Sequence, residues 1–175
     1  MDLDVFEAIR GRRSIRKFTS QVVSEEMVNV LVEAARMAPT AGNAQAYMLV
    51  IVREGERKRR LSEAAFGQGQ VQMAFVVFVV CADLKRAMAS YGERGCSLYC
   101  LQDTAAVTEN VLLTAYSLGL GTCWIGAFDE TAVKSVINAP VDMRPVVMIS
   151  IGYPAEMPMP RPRRLPSEFV HNETF

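Results

Sequence analysis

The chain has one histidine, His171, one tryptophan, and no excess charge, since 19 basic residues balance 19 acidic ones. A lone imidazole without a Ser, Cys or Asp partner at suggestive spacing removes the commonest general base, and His171 reads as a packing or surface residue. Zero formal net charge removes the broad positive footprint by which proteins hold nucleic acid. The four cysteines, Cys81, Cys96, Cys100 and Cys123, form no Cys-x-x-Cys pair. They read as small reduced thiols; Cys96 and Cys100 share a helical face but lack visible partners for a metal corner. No glycine-rich dinucleotide fingerprint follows a strand. The longest apolar run, Ala74 to Ala82, falls far short of the roughly 20 residues that a membrane-spanning helix needs. The start, Met1 to Asp4, has neither the basic nor the apolar region of a signal peptide. These absences point to a cytoplasmic protein that binds neither nucleic acid nor membrane.

Hydrophobic residues make up 50% of the 175, enough for the core of one domain spanning 1–175. Arginine is chosen over lysine by fifteen to four. Three of these guanidinium groups flank a hydroxyl in the run Arg12, Arg13, Ser14, Ile15, Arg16. Arginine offers planar donor forks that match phosphate oxygens in pairs, and serine adds a neutral donor. The same run would also suit a helix C-terminus without any ligand. A second signal is the small-residue loop Pro39 to Tyr47, which carries two amides, Asn43 and Gln45, just before the apolar run Met48 to Val52.

Periodicity and punctuation predict helices at about Leu3 to Gly11, Ser24 to Met37, Glu56 to Ala65, Leu98 to Leu118 and Glu130 to Ile137. Strands are expected at Tyr47 to Arg53, Ala74 to Ala82, Thr122 to Ala127 and Pro145 to Gly152. Ser24 suits an N-cap, with Glu25 and Glu26 in the favourable first turn. The Leu98 to Leu118 helix carries apolar residues on more than one face, so it should be widely buried. Residues 154–175 read as an extended arm, because prolines at 154, 158, 160, 162 and 166 disfavour helix. Arg161, Arg163, Arg164 and the apolar Phe169, Val170 and Phe175 suggest that this arm docks.

The arginine-serine-arginine element, followed by a Pro-Thr-x-x-Asn-x-Gln loop leading into a strand, resembles the FMN-dependent nitroreductase family. Two further elements in the same order carry the likeness on: Gly119 to Phe128, similar to the family's late glycine-bearing strand, and Ile149 to Pro154, similar to its last core strand. The resemblance implies an α+β fold, a three-layer α-β-α sandwich with a mostly antiparallel sheet. It also implies a homodimer, built on a long central helix, that binds FMN in its interface and exchanges C-terminal arms.

Residue by residue, the resemblance assigns Arg12, Arg13, Ser14 and Arg16 to the phosphate and pyrimidine end of FMN. Thr40, Ala41, Asn43 and Gln45 become loop contacts, Ile125, Gly126 and Ala127 backbone near the ring, and Gln68 an amide near the flavin. Arg163 or Arg164 resembles the arm arginine that closes on the phosphate. No catalytic side chain and no metal is implied, because the flavin carries the chemistry. Electrons would pass from NADH or NADPH to a small-molecule acceptor such as a nitroaromatic or quinone, with donor and acceptor using one pocket in turn. Two other classes stay open on the same scaffold: an FMN carrier reduced by a protein electron donor such as ferredoxin, and different flavin chemistry such as reductive dehalogenation. Ala46, Tyr47 and Phe75 depart from the family's usual proline, tryptophan and proline. The connection from Cys81 to Leu98 looks too short for the helical insertion of larger members, leaving Met88, Tyr91 and Tyr99 as candidate acceptor-pocket walls.

Overall fold

A computed structural model describes residues 4–175. The expected Leu3 start of the first helix and the residues before it lie outside that range. Four strands, β1 (Tyr47–Val52), β2 (Val76–Asp83), β3 (Gly121–Ile125) and β4 (Met143–Gly152), form one sheet in the order β1-β2-β4-β3. Every neighbouring pair is antiparallel. All eight residues of β2 are buried, which explains why its sequence reads as a continuous apolar run rather than an alternating one.

Alternate residues of the central strands feed two cores. Val76, Phe78 and Val80, with Val147, Ile149 and Ile151, pack against α2 (Glu25–Arg36) and α6 (Cys100–Ser117). Val77, Val79 and Cys81, with Met148, face α3 (Gly55–Ala64), α4 (Gly69–Met73) and α7 (Glu130–Ile137). The result is the helix-sheet-helix sandwich expected from the sequence. Leu31 and Leu61, one from each outer layer, are fully buried, each contributing about 1.5–3 kcal/mol of transfer free energy. Ser24 caps α2 as expected, its hydroxyl accepting the Met27 N–H at 3.3 Å.

Two helices depart from the sequence reading. α4 is only five residues long, too short to show a period. The connection after β2 holds α5 (Leu84–Arg94) and a π-helical turn, Gly95–Tyr99, rather than a short link. Its composition hid it: α5 buries only Ala87, and its end is broken at Gly92, which adopts φ 57°. α6 buries a single stripe that includes Cys100, Thr104, Val107, Val111 and Ala115. Leu101, Ala105, Ala106 and Leu113 remain half-buried, so within one chain the second apolar face is only partly covered.

Candidate functional site

Helix α1 (Val5–Gly11) ends at the arginine run, with Arg12 as its C-cap. From there the chain runs along the free edge of β3: Ser14 bridges Thr122 in parallel, and the Ile15 N–H donates to the Thr122 carbonyl at 2.8 Å. Gly121 makes this approach feasible, since a Cβ there would lie 2.9 Å from the Ile15 side chain. The strand-edge anchoring fixes where the flanking guanidinium groups begin.

Beside this edge lies a cleft of about 710 Å³ lined by Arg10, Arg12, Arg13, Ser14, Arg16, Arg161 and Arg163. Six arginines and a serine line it, and no carboxylate residue does so among the described residues. Such a donor set fits a doubly charged anion such as a phosphate monoester. Arg12 is held through Nε by Oε1 of Glu109 on α6 at 3.3 Å, leaving its terminal nitrogens unoccupied by that pair. Arg13 serves partly as a helix cap, donating from Nη1 to the carbonyls of Arg10 at 2.6 Å and Arg12 at 2.8 Å. The ligand-free role weighed for this run is therefore real for one of its members.

The C-terminal arm is stitched to the same edge. Ala155 N–H donates to the Lys17 carbonyl at 2.9 Å, and Glu156 Oε1 accepts the backbone N–H groups of Arg16 at 2.6 Å and Lys17 at 3.2 Å. This start directs Pro158, Met159 and Pro160 over the cleft and brings in Arg161 and Arg163. Arg164 is turned the other way, its guanidinium 5.5 Å from the Phe169 ring. An apolar cavity of about 420 Å³ adjoins the cleft, sharing Arg12 and Arg13 and adding Ile15, Tyr116, Leu120 and Met157.

A second group forms at the end of β3. Gln68 donates from Nε2 to the Ala127 carbonyl at 2.9 Å and accepts from Gln70 Nε2 at 3.0 Å. The expected Gln68 and Ile125–Ala127 are thereby brought together, with Gly126 and Ala127 exposed and the Ile125 side chain buried. This group shares no cavity wall with the arginine cleft. Burial raises the Cys123 thiol above its ordinary pKa, while the nearby Arg16 guanidinium and the Gln70 amide pull it down.

The amide loop is the third group. Ala41–Asn43 makes one 3-10 turn, and Gly42, Asn43 and Gln45 all take positive φ, at 50°, 55° and 51°. Inside the loop the Thr40 hydroxyl accepts the Gln45 N–H at 3.1 Å, and Gln45 Nε2 donates to Asn43 Oδ1 at 3.0 Å. From outside, Asp103 Oδ1 on α6 accepts the Ala41 N–H at 2.9 Å, and Arg86 Nε on α5 donates to the Ala44 carbonyl at 2.6 Å. Burial raises the Asp103 carboxyl above the ordinary aspartate pKa, opposed by the Ala41 N–H.

The arginine and amide groups do not meet within one chain. The loop enters β1 at one sheet edge, whereas Ser14 lies outside β3 at the other. Four strand spacings separate them by roughly 19 Å across the sheet. Along the strands they are also displaced: Tyr47 aligns through Ala82 with Arg144, while Thr122 aligns with Ile151, roughly 20 Å further on.

The family model described as Nitroreductase family matches residues 9–74 and 69–153. The chain belongs to the nitroreductase family. It is 33% identical over 183 residues to a Bacillus subtilis (strain 168) protein named FMN reductase (NADPH), covering 97% of this chain and 73% of that one. Its fold matches the structure of the NfrA1 nitroreductase from B. subtilis with a TM-score of 0.90 at 32% identity, over 98% of this chain and 74% of the other. It likewise matches the NADPH:FMN oxidoreductase from Vibrio harveyi complexed with NAD+, with a TM-score of 0.90 at 26% identity, over 98% of this chain and 77% of that chain.

Within this family member, sequence reasoning missed Arg10 at the cleft and the carboxylates Asp103, Glu109 and Glu156 that brace it and the loop, and it gave Arg161 to the docking arm without placing it at the cleft. Arg10 lies in the last turn of α1, just before the arginine run, so its position beside Arg12 and Arg13 was a local signal. Nothing in the sequence pairs Glu109 with Arg12, because that contact spans 97 residues.

Proposed function

We propose that the protein is an FMN-dependent oxidoreductase that carries electrons from NADH or NADPH to a small oxidised acceptor such as a nitroaromatic or quinone. The observation that carries this reading is that Arg12, Arg16, Arg161 and Arg163 line one cleft with Ser14, without a carboxylate among the described residues. The names of the relatives support the cofactor and the donor.

In this reading Ser14 and the arginines hold the FMN phosphate, with Glu109 fixing how Arg12 is presented. Arg16, tied by its backbone to Glu156, places positive charge toward the pyrimidine edge, where reduction leaves negative charge. Gln68 and the exposed backbone at Gly126 and Ala127 would flank the ring from the β3 end. Bound there, FMN would supply the hydride chemistry that links NAD(P)H to the acceptor, which share one pocket in this reading. The protein's part is placement, and no side chain need act as a nucleophile.

The active unit is a homodimer. Support comes from the separation of the arginine and amide groups, which one chain leaves at opposite corners of its sheet. It also comes from the half-buried apolar second face of α6, and from an arm whose Met157 and Phe169 stay exposed. A second copy brings Thr40, Ala41, Asn43 and Gln45 to the first copy's arginines. The four free thiols and the need for NAD(P)H suit the cytoplasm.

Anaerobic mixing tests the reading. The purified protein is expected to be yellow, to release FMN rather than FAD on heating, and to bleach within seconds of adding NADH or NADPH. Bleaching only by dithionite or reduced ferredoxin would replace the enzyme by an electron carrier, and size-exclusion chromatography is expected to give twice the chain mass.

A further inference from the structure

Next to the amide loop, α5 and the π-helical turn gather the candidate acceptor-pocket walls Met88, Tyr91 and Tyr99 into one cluster with Arg94, whose role was not assigned. The Tyr91 hydroxyl sits where a Cβ on Gly42 would fall, so the cluster abuts the loop itself. Tyr91 and Tyr99 meet edge to face with centroids 5.3 Å apart. Arg94 lies 5.3 Å from the Tyr99 ring centroid and donates from Nε to the Tyr99 hydroxyl at 2.9 Å.

The π turn sets this geometry. It ends at Tyr99, and Gly95 within it packs directly on α5, where a Cβ would strike the Ala87 carbonyl. π turns recur at functional sites because the extra residue re-aims the side chains that follow. Here it aims Tyr99 at Arg94 and Tyr91.

Held through Nε, the Arg94 guanidinium has no carboxylate partner among the described residues, and its neighbour Glu93 makes no ion pair with it. Tyr91 is 43% exposed and Met88, one turn earlier, 49%. An aromatic face, an adaptable thioether and an oriented fork for an anion thus stand side by side. Lys85 and Arg86 on the same helix add positive charge against the single Glu93.

We propose that this cluster is the acceptor-specificity site and selects planar aromatic acceptors that carry an anionic group, a carboxylate or sulfonate, over their neutral counterparts. The ring packs on Tyr91 and Met88, and the anion takes the free terminal nitrogens of Arg94. The proposal rests on the oxidoreductase reading for its meaning, though binding can be measured without turnover.

Calorimetric titration of the flavin-replete protein with benzoate and with benzamide tests it. Benzoate should bind about threefold to fivefold more tightly than the neutral amide, a preference expected of one exposed charge-assisted contact. Arg94→Gln should erase that preference and Arg94→Lys keep part of it; Tyr99→Phe, which frees the fork, should weaken it. In turnover, the ratio of kcat/KM for 4-nitrobenzoate to that for nitrobenzene should fall about threefold to fivefold in Arg94→Gln, through KM. Equal binding of benzoate and benzamide, or a preference that survives Arg94→Gln, overturns the proposal. A protein that binds benzoate through Arg94 yet retains no FMN or ignores NAD(P)H would instead sink the oxidoreductase reading alone.

Discussion

Asp103 Oδ1 accepts the Ala41 N–H at 2.9 Å from a position that is 5% exposed, so a buried carboxylate on the central helix pins the entrance of the amide loop. Removing it by Asp103→Ala leaves the Ala41 donor without its acceptor. The expected cost is about 1–3 kcal/mol in denaturant unfolding, with Asp103→Asn milder because its amide oxygen can still accept.

Asp103 and Glu130 should show opposite pH dependence. Burial raises the folded-state pKa of Asp103, so its contribution is fully present below the ordinary aspartate value and is lost as pH rises through the folded one. Glu130 is lowered, chiefly by its hydrogen bond from Arg144, so its contribution is present above the ordinary glutamate value and lost as pH falls through the folded one. Thermal melts from pH 3 to 8 should show the penalty of Asp103→Asn shrinking as pH rises. The penalty of Glu130→Gln should grow as pH rises and stay below about 1 kcal/mol, as for other exposed pairs.

The arm arginines should separate cleanly. Arg161→Ala and Arg163→Ala are each expected to weaken FMN binding about tenfold, the scale of one charge-assisted contact. Arg164→Ala, whose guanidinium lies against Phe169, should change it less than twofold. Fluorescence titration of flavin-free protein gives all three values. The double variant Arg12→Ala with Arg16→Ala should fold, by circular dichroism, yet emerge nearly colourless.

Gly42 combines φ 50° with the Tyr91 hydroxyl on its Cβ side. Gly42→Ala should cost about 1–2 kcal/mol from left-handed backbone alone and more from the contact. In a Tyr91→Phe background the penalty should fall, and a double-mutant cycle reads the difference.

Burial pushes the Cys81 thiol up to about 11, and it raises Cys100 and Cys123 as well. Only Cys96 is half-buried rather than buried. A disulfide reagent at pH 8 should therefore react quickly with one thiol in the native protein and with four after unfolding.

The central strands and α7 were legible because their burial is two-sided or their period clean; Glu130 to Ile137 matches residue for residue. α5 was not, since it rests on a glycine break and a π turn that follow from packing on Ala87 rather than from any local pattern. The arginine cleft was foreshadowed in the sequence because the run's composition and spacing are local. Its supports were not, since Glu109, Glu156 and Arg161 reach it only through the fold. Arg163 and Arg164 were indistinguishable as neighbours in sequence; the turn at Pro166–Glu168, which presents Phe169 to Arg164, separates them.

In the proposed homodimer, arginines at one corner of the sheet and amides at the diagonal one predict genetic complementation. A chain damaged only at Arg12 and Arg16 still lends a sound loop, and a chain damaged only at that loop still lends sound arginines. Co-expressed, two such colourless variants would assemble mixed pairs holding one wholly intact pocket beside one doubly broken, and colour would return to a preparation in which neither parent has any.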